Sequence, residues 1–368
     1  MSHPGDILIW ETYILTQFRV ITYLLGLFFL PINQNVDYDF SMSHSFWEWP
    51  VLISFLFLLT LLVLACRLKK KWPLFSFGIF WFFLTISVNF IPRQHIIAEQ
   101  QLYLPSIGLC LTFCAGLFYA MSDVKKLTVV LFSILMVLSV LTYHRNQVWG
   151  NEITLWQDVV KKSPQKPRGY LNLAGIYLKE KKYDLAIKTF TQLLSITPDN
   201  TEGYSGRGLA YQNMGKSLFA LQDFNQAILL DNKNAIAYLN RGNLDQQLGK
   251  IPEALADYDL AIKNKQKEIK TLESQFKKDA AKKEYAVILN SRAVIYLKSN
   301  QFGLASKDLD EALKNSPNFV EALVNRGNLF FQQGQFQQAL ENYDQALKLQ
   351  PDHEIALKNR AVLVDSQK

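Results

Sequence analysis

The sequence is poor in cysteine, and the three that it has, Cys66, Cys110 and Cys114, all lie in its first third. No disulfide framework can therefore stabilise the remainder. Charge is also scarce at the beginning, since nine Lys and Arg and seven Asp and Glu lie in the first 150 residues, against 39 and 32 in the whole chain. The sequence thus divides into an apolar part and a charged, water-compatible part.

No charge of one sign dominates the second part, where basic residues alternate with nearly as many acids. The net charge of +7 is therefore a weak argument for nucleic acid, and we expect no nucleic-acid partner. His44 and His95 lack a Cys or His partner at ligand spacing, so we expect no metal site. The sequence contains no nucleophile triad and no phosphate-binding loop, so no catalytic residue and no cofactor are expected either.

Long apolar runs fill the first part, and each is close to the ~20 residues that a bilayer core requires. Four are clear: Trp49–Leu68, Trp72–Ile91, Leu102–Met121 and Leu127–Tyr143. A fifth, Tyr13–Ile32, contains Gln17 and Arg19, so it lies either at the interface or against other helices. We predict a membrane domain over residues 1–148, followed by a half-repeat junction over residues 149–166.

The short loops between these runs predict an orientation. Six basic residues lie in the loops after the first and third clear spans: Arg67, Lys69, Lys70, Lys71, Lys125 and Lys126. The other two loops contain only Arg93. Because basic loops stay in the cytoplasm, a multi-pass protein is expected whose second part is extracytoplasmic, in a periplasm, at a cell exterior or in the lumen of the endoplasmic reticulum.

From Pro167 onward the sequence repeats every 34 residues, a period typical of helix–turn–helix tetratricopeptide solenoids. Five registers begin at Pro167, Thr201, Ala235, Ala286 and Val320, and a single last helix begins at Glu354. The fold class predicted for the chain is therefore all-α, with a membrane helix bundle followed by a tetratricopeptide α-solenoid over residues 167–368.

Arginine occupies position seven of every register after the first, and position twenty-three then carries an acid or an amide. The charged pairs are Arg207 with Asp223, Arg241 with Asp257, and Arg292 with Asp308. This matching favours structural pairs between the two helices of a repeat, and the alternative is a basic groove for an anionic ligand.

Two further features concern ligands. Position six is asparagine in four registers, Asn172, Asn240, Asn325 and Asn359, on the inner helices of such a solenoid. Amides can pair with the main chain of an extended peptide, although asparagine also simply favours exposed positions. An insertion at residues 269–285 predicts either a protruding helical finger or a solvated extension.

Three segments carry a resemblance to a known family: LPINQNVDYDF (Leu30–Phe40), EQQLYLPSIG (Glu99–Gly108) and RNQVWGNEITLW (Arg145–Trp156). Together with the repeats they resemble the membrane-and-tetratricopeptide-repeat proteins related to protein O-mannosyltransferases. The resemblance implies a multi-span module that uses a polyprenyl-phosphate-linked sugar, and an asparagine column that binds acceptor chains. In such enzymes the catalytic acid lies in the first external loop, before the part that this sequence matches. The resemblance therefore implies a C-terminal portion with no transferase activity alone.

The acidic residues of the apolar part remain as candidates for a sugar-phosphate loop. These are Asp37, Asp39 and Glu99 of the two external loops, together with Tyr103 at the start of the third clear span. The alternative for the Asp pair is a solvated turn. Two functions follow from the sequence: a membrane-anchored solenoid that binds polypeptide segments, or the C-terminal part of a lipid-linked-sugar-dependent protein O-glycosyltransferase.

Overall fold

The computed structural model describes residues 4–32, 34–91, 97 and 99–366. Throughout these ranges the regular structure is helical, without a strand, which confirms the predicted all-α class. The helices form two compact units, residues 1–176 and residues 177–368.

The first unit contains the apolar helices. Its helices are α1 (Pro4–Phe29), α2 (Trp49–Leu68), α3 (Pro73–Ile86), α4 (Tyr103–Ala120), α5 (Val124–Trp149) and α6 (Glu152–Lys162), and α7 (Pro167–Lys179) crosses the boundary between the units. Five segments are long and apolar enough to cross a membrane: Trp10–Phe29, Trp49–Leu68, Pro73–Phe90, Tyr103–Ala120 and Val124–Trp149. Proline in the first turn of α2 and α3 suits a position whose N–H has no partner within the helix.

Helices α3 and α4 pack closely because glycine lies on both. A Cβ at Gly78 would come within 2.5 Å of the carbonyl oxygen of Gly108, and a Cβ at Gly108 within 2.4 Å of that of Gly78. Backbones can approach this far only where side chains are absent, which is how apolar helices gain contact in a lipid environment. Helix α5, by contrast, has no buried residue.

Arg19 of α1 is held by protein groups. Its Nη1 donates to the carbonyl oxygen of Ser41 at 3.1 Å and to Oγ of Ser43 at 2.8 Å. Its guanidinium also lies 4.9 Å from the centre of the Phe40 ring. The charge within this apolar helix therefore has partners in the loop that follows it.

The second unit is a solenoid of helix pairs. Its helices are α8 (Tyr183–Ile196), α9 (Thr201–Asn213), α10 (Ser217–Leu230), α11 (Ala235–Gln247), α12 (Ile251–Thr271), α13 (Gln275–Lys298), α14 (Phe302–Asn315), α15 (Val320–Gln332), α16 (Phe336–Leu349) and α17 (Glu354–Ser366). The first helices of successive repeats contact one another, α9 with α11, α11 with α13, α13 with α15 and α15 with α17. Such a stack leaves one continuous surface along the first helices.

Three of the helix pairs close around an aromatic ring that takes the space left by a glycine. A Cβ at Gly208, Gly242 or Gly327 would lie 2.5–2.9 Å from the ring of Phe224, Tyr258 or Tyr343. These rings are among the largest fully buried side chains of the described chain. The turn after the first helix requires positive φ, which Gly215, Gly249 and Gly334 adopt at 72–76°.

The insertion lengthens the helices of the third and fourth repeats. Helix α12 has 21 residues, against 14 in α10, and α13 has 24 residues, against 13 in α11. Three residues, 272–274, separate α12 from α13. The inserted residues thus extend two helices instead of forming an irregular loop, because no proline or glycine stops either helix.

Candidate functional site in the repeat groove

Three of the arginines at position seven make bidentate ion pairs with an aspartate of their own repeat. Nε and Nη2 of Arg241 donate to the two carboxylate oxygens of Asp257 at 2.8 and 2.7 Å. Arg207 with Asp223 and Arg292 with Asp308 have the same geometry. Burial lowers the pKa of such a guanidinium, but the hydrogen bonds to Asp257 outweigh it and raise the pKa of Arg241. Two donors of each arginine are therefore committed to the fold.

A third donor of each arginine reaches the preceding repeat. The acceptors lie at position twenty-five, on the second helix of that repeat: Thr191 for Arg207 at 3.2 Å, Asn225 for Arg241 at 2.7 Å, and Asp259 for Arg292. Arg326 and Arg360 contact Asp310 and Asp344 at the same position. An acceptor side chain recurs at position twenty-five in all five registers, and this recurrence is the sequence signal by which the set could have been predicted.

The asparagines at position six occupy four different environments. Nδ2 of Asn172 donates to the carbonyl oxygen of Arg168 at 2.9 Å. In the second unit, Nδ2 of Asn325 donates to Asn290 at 2.8 Å, and Nδ2 of Asn359 to Asn328 at 2.7 Å. Nδ2 of Asn240 is buried without a hydrogen-bond partner, although Asn240 occupies position six as well.

A pocket of about 1030 Å³ lies beside Asn240. Residues from the first helices α9 and α11, the turn between α10 and α11, and the extended parts of α12 and α13 line it: Glu202, Ser205, Gly206, Leu209, Asp231, Lys233, Asn234, Ala235, Ile236, Asn240, Asn264, Lys265, Lys267, Glu268, Thr271 and Glu284. Ser205 has a buried Oγ that also lacks a hydrogen-bond partner. Two of the residues that line the pocket therefore carry a buried polar atom without a hydrogen-bond partner.

Lys265 joins the extended helices α12 and α13 beside the pocket. Its buried Nζ lies 2.7 Å from Glu268 on α12 and 2.6 Å from Glu284 on α13. Burial lowers the pKa of this ammonium, but the two carboxylates outweigh burial and raise the pKa of Lys265. The hydroxyl of Tyr285 on α13 links α12 to α14. It accepts a hydrogen bond from Gln266 and donates one to Glu311, at 2.6 Å in each case.

The loop around Asp37 is held against the end of α6 in the first unit. Oγ of Ser163 accepts from Nδ2 of Asn35 at 2.8 Å and from the backbone N–H of Asp39 at 3.0 Å, and it donates to the carbonyl oxygen of Asp37 at 2.7 Å. Nζ of Lys162 donates to the carbonyl oxygen of Gln34 at 2.8 Å. The loop therefore binds α6 through its main chain and Asn35.

The four candidates for a sugar-phosphate loop are not brought together by hydrogen bonds in the described part of the chain. The contacts of Asp37 and Asp39 use their main chains. Tyr103 begins α4 with its side chain exposed, and the side chain of Glu99 lies outside those that the structure describes, as does His95. Among the described side chains, no three of His, Cys, Asp and Glu lie close enough together to hold a metal ion.

Comparison with known proteins identifies the repeats directly. Residues 320–353 match the family model of the tetratricopeptide repeat, and residues 174–215 match a second model, described as a TPR repeat. The solved structure of the APC/C hetero-tetramer Cut9-Hcn1 superposes with a TM-score of 0.50 and 14% identity, covering 86% of this chain and 56% of the other. That likeness concerns the fold alone.

Curated relatives match the chain in sequence over less than half its length. The human protein O-mannosyl-transferase TMTC3 is 31% identical over 113 residues, which are 30% of this chain and 12% of the human protein. The Caenorhabditis elegans protein O-mannosyl-transferase F38B6.6 is 26% identical over 176 residues, 43% of this chain and 25% of the relative. The chain thus carries tetratricopeptide repeats and resembles the TMTC protein O-mannosyl-transferases, of whose length it matches about a quarter or less.

Proposed function

We propose that this chain is a membrane-anchored protein whose solenoid binds polypeptide segments outside the cytoplasm, as a presenter of acceptors for glycosylation. The observation that carries the proposal is the surface along the first helices, where the asparagines of position six recur and where a pocket of about 1030 Å³ lies. Tetratricopeptide solenoids present such surfaces to ligands. Neutral amides suit main-chain groups, because each offers both a donor and an acceptor.

A second candidate function is the C-terminal part of a lipid-linked-sugar-dependent protein O-glycosyltransferase, with a polyprenyl-phosphate sugar as a further partner. The similarity to protein O-mannosyl-transferases favours it. Asp37, Asp39, Glu99 and Tyr103 are the residues that we would assign to the sugar phosphate in that case. This second function would be favoured if the chain itself transferred mannose and if replacing Asp37 or Asp39 abolished the transfer.

The membrane part of the proposal predicts a topology. The five apolar segments and the six basic residues of two loops support an extracytoplasmic solenoid. A reporter that is active only outside the cytoplasm should be active when fused after Lys368 and silent when fused after Lys71. The reverse pattern would place the solenoid in the cytoplasm and remove lumenal or exported polypeptides as ligands.

The binding part predicts the effect of removing the amides. Replacing Asn240, Asn325 and Asn359 together by alanine should weaken binding of unstructured peptides at least about tenfold, since each neutral contact contributes about 0.5–1.5 kcal/mol. Fluorescence anisotropy on the full chain in detergent would measure this, with circular dichroism showing unchanged helix content. The matched control is Asn318→Ala, at an exposed turn position. Unchanged affinity in the triple variant, or binding abolished by moderate salt, would contradict the proposal.

A further inference from the structure

The exposed side of helix α10 differs from that of the other four second helices of the solenoid. Positions eighteen, twenty-two, twenty-five and twenty-nine lie along one side of each second helix, and in α10 they form an exposed, uncharged row: Leu218, Gln222, Asn225 and Leu229. In each of the other second helices these positions carry at least two charged residues: Asp184 and Lys188; Asp259 and Lys263; Lys307, Asp310 and Lys314; Glu341, Asp344 and Lys348. We call the row on α10 the α10 stripe.

The ends of the α10 stripe are unusually apolar for a surface in water. Leu218 is 84% exposed and Leu229 is 77% exposed, more than any other leucine of the described chain. Phe219, beside Leu218, is exposed as well. The four stripe residues are separated by four, three and four positions, which is the a and d spacing of a coiled coil. The stripe therefore has the pattern by which one helix packs lengthwise against another.

The order of residues makes the stripe complementary to its own reverse. A leucine lies at each end and an amide at each of the two middle positions, so an antiparallel second copy would place Leu218 against Leu229 and Gln222 against Asn225. Oδ1 of Asn225 already accepts from Nη1 of Arg241 at 2.7 Å. Its Nδ2 is then the donor, and the side-chain oxygen of Gln222 in the second copy is the acceptor.

The charges at the two ends of α10 favour the same arrangement. Lys216 is the residue just before the helix, and Asp231 is the residue just after it. An antiparallel pair brings Lys216 of each copy to the end where Asp231 of the other copy lies, whereas a parallel pair would bring like charges together. Because no charge lies between the ends, nothing in the stripe opposes contact with its own copy.

We infer that the α10 stripe is a self-association surface, through which two copies of this chain form an antiparallel, twofold-symmetric dimer. The inference goes beyond the proposed function, since it uses a second helix and leaves the surface along the first helices to ligands. One helix from each copy buries less than the about 800 Å² per partner that is typical of a stable complex, so the dimer should be weak and reversible.

Disulfide trapping tests the antiparallel register. The starting chain is the full chain in detergent with its three cysteines replaced by serine. Leu218→Cys combined with Leu229→Cys should give a covalent dimer on mild oxidation, because the pairing brings the two Cβ atoms to the about 3.5–4.5 Å that a disulfide needs. Each single change places a thiol opposite a leucine, so the covalent dimer should be lost. Leu304→Cys, at an exposed leucine of α14, is the matched control and should give none.

Exchanging the leucines for charges tests the contact at equilibrium, by sedimentation of the full chain in detergent. Leu218→Glu with Leu229→Glu apposes two carboxylates at each end of the pair and should weaken the dimer at least about tenfold. Leu218→Lys with Leu229→Glu apposes opposite charges and should restore most of that loss. Both leucines are exposed, so circular dichroism should show unchanged helix content. Leu304→Glu is the matched control and should associate as the unaltered chain does.

Four results would overturn the inference. The first is an unaltered chain that sediments as a monomer throughout the concentration range. The second is a dimer that persists when both leucines are glutamate, since the contact then lies elsewhere. The third is equal loss in the Glu–Glu and the Lys–Glu variants, which would mean that the stripe does not meet its own reverse. The fourth is a covalent dimer that forms as readily from Leu218→Cys alone as from the double variant.

Discussion

Replacing Arg241 by leucine is expected to destabilise the third repeat by about 3–5 kcal/mol. The side chain of Asp257 is only 6% exposed, and both of its oxygens accept from Arg241. Removing the guanidinium leaves a buried carboxylate without its counter-charge, which costs far more than an exposed pair contributes. Hydrogen exchange of the amides in α11 and α12, measured on the full chain, reports the free energy of local opening.

A double-mutant cycle separates this role from ligand binding. Asp257→Leu alone should cost a similar amount, and the double variant should recover much of the loss, because no unpaired charge then remains. Arg360→Leu is the control, since its pair with Asp344 is about half exposed and should contribute less than about 1 kcal/mol. Additive losses from Arg241→Leu and Asp257→Leu would instead favour the alternative, in which Arg241 belongs to a basic groove for an anionic ligand.

Removing the hydroxyl of Ser163 is expected to free the loop around Asp37 from α6. The side chain of Ser163 is 1% exposed and makes three hydrogen bonds to that loop. In Ser163→Ala the backbone N–H of Asp39 and part of the Asn35 amide lose their acceptor, so we expect a loss of about 2–4 kcal/mol. Limited proteolysis should then cut the loop at least about thirtyfold faster, provided that opening is rapid compared with cleavage.

The matched control for this variant lies in the same loop. Ser45 is exposed, and its Oγ accepts a single hydrogen bond, from the backbone N–H of Trp47. Ser45→Ala should therefore change the cleavage rate little. Equal cleavage rates in Ser163→Ala and the unaltered chain would mean that α1 and α2 hold the loop in place without α6.

The fold class was predictable because its signals are local and periodic. A small residue at position eight, a large apolar residue at position twenty-four and a turn residue at position fifteen recur in each repeat, and the structure places each as that pattern indicates. Lys181 and Asn300 adopt positive φ where other repeats have glycine, at 59° and 54°. Ala286 follows Ala235 by 51 residues instead of 34, yet the pattern resumes there, because the inserted residues only lengthen helices.

The details of the site were less predictable, because they depend on neighbours that no period reveals. Asn240 and Asn359 both occupy position six of their repeats. Only Asn359 has a hydrogen-bond acceptor, which is Asn328 of the preceding first helix. Position six of the second repeat is Gly206, and the ring of Phe190 fills the space that a Cβ would take there. Ser163 and Asn35 are 128 residues apart, and nothing in either segment alone indicates their contact.

The arginine pairs inside the repeats grow weaker along the chain. Arg207, Arg241 and Arg292 pair with aspartate, Arg326 pairs with the neutral Asn342, and Arg360 has only its half-exposed partner on the preceding helix. In a one-dimensional array, stability is approximately the sum of what each repeat and each contact between neighbours contributes, so the array opens first at its least stable repeat. Fraying should therefore start at α16 and α17 and proceed inward, so that the pocket of the second and third repeats stays intact after the last helices have opened.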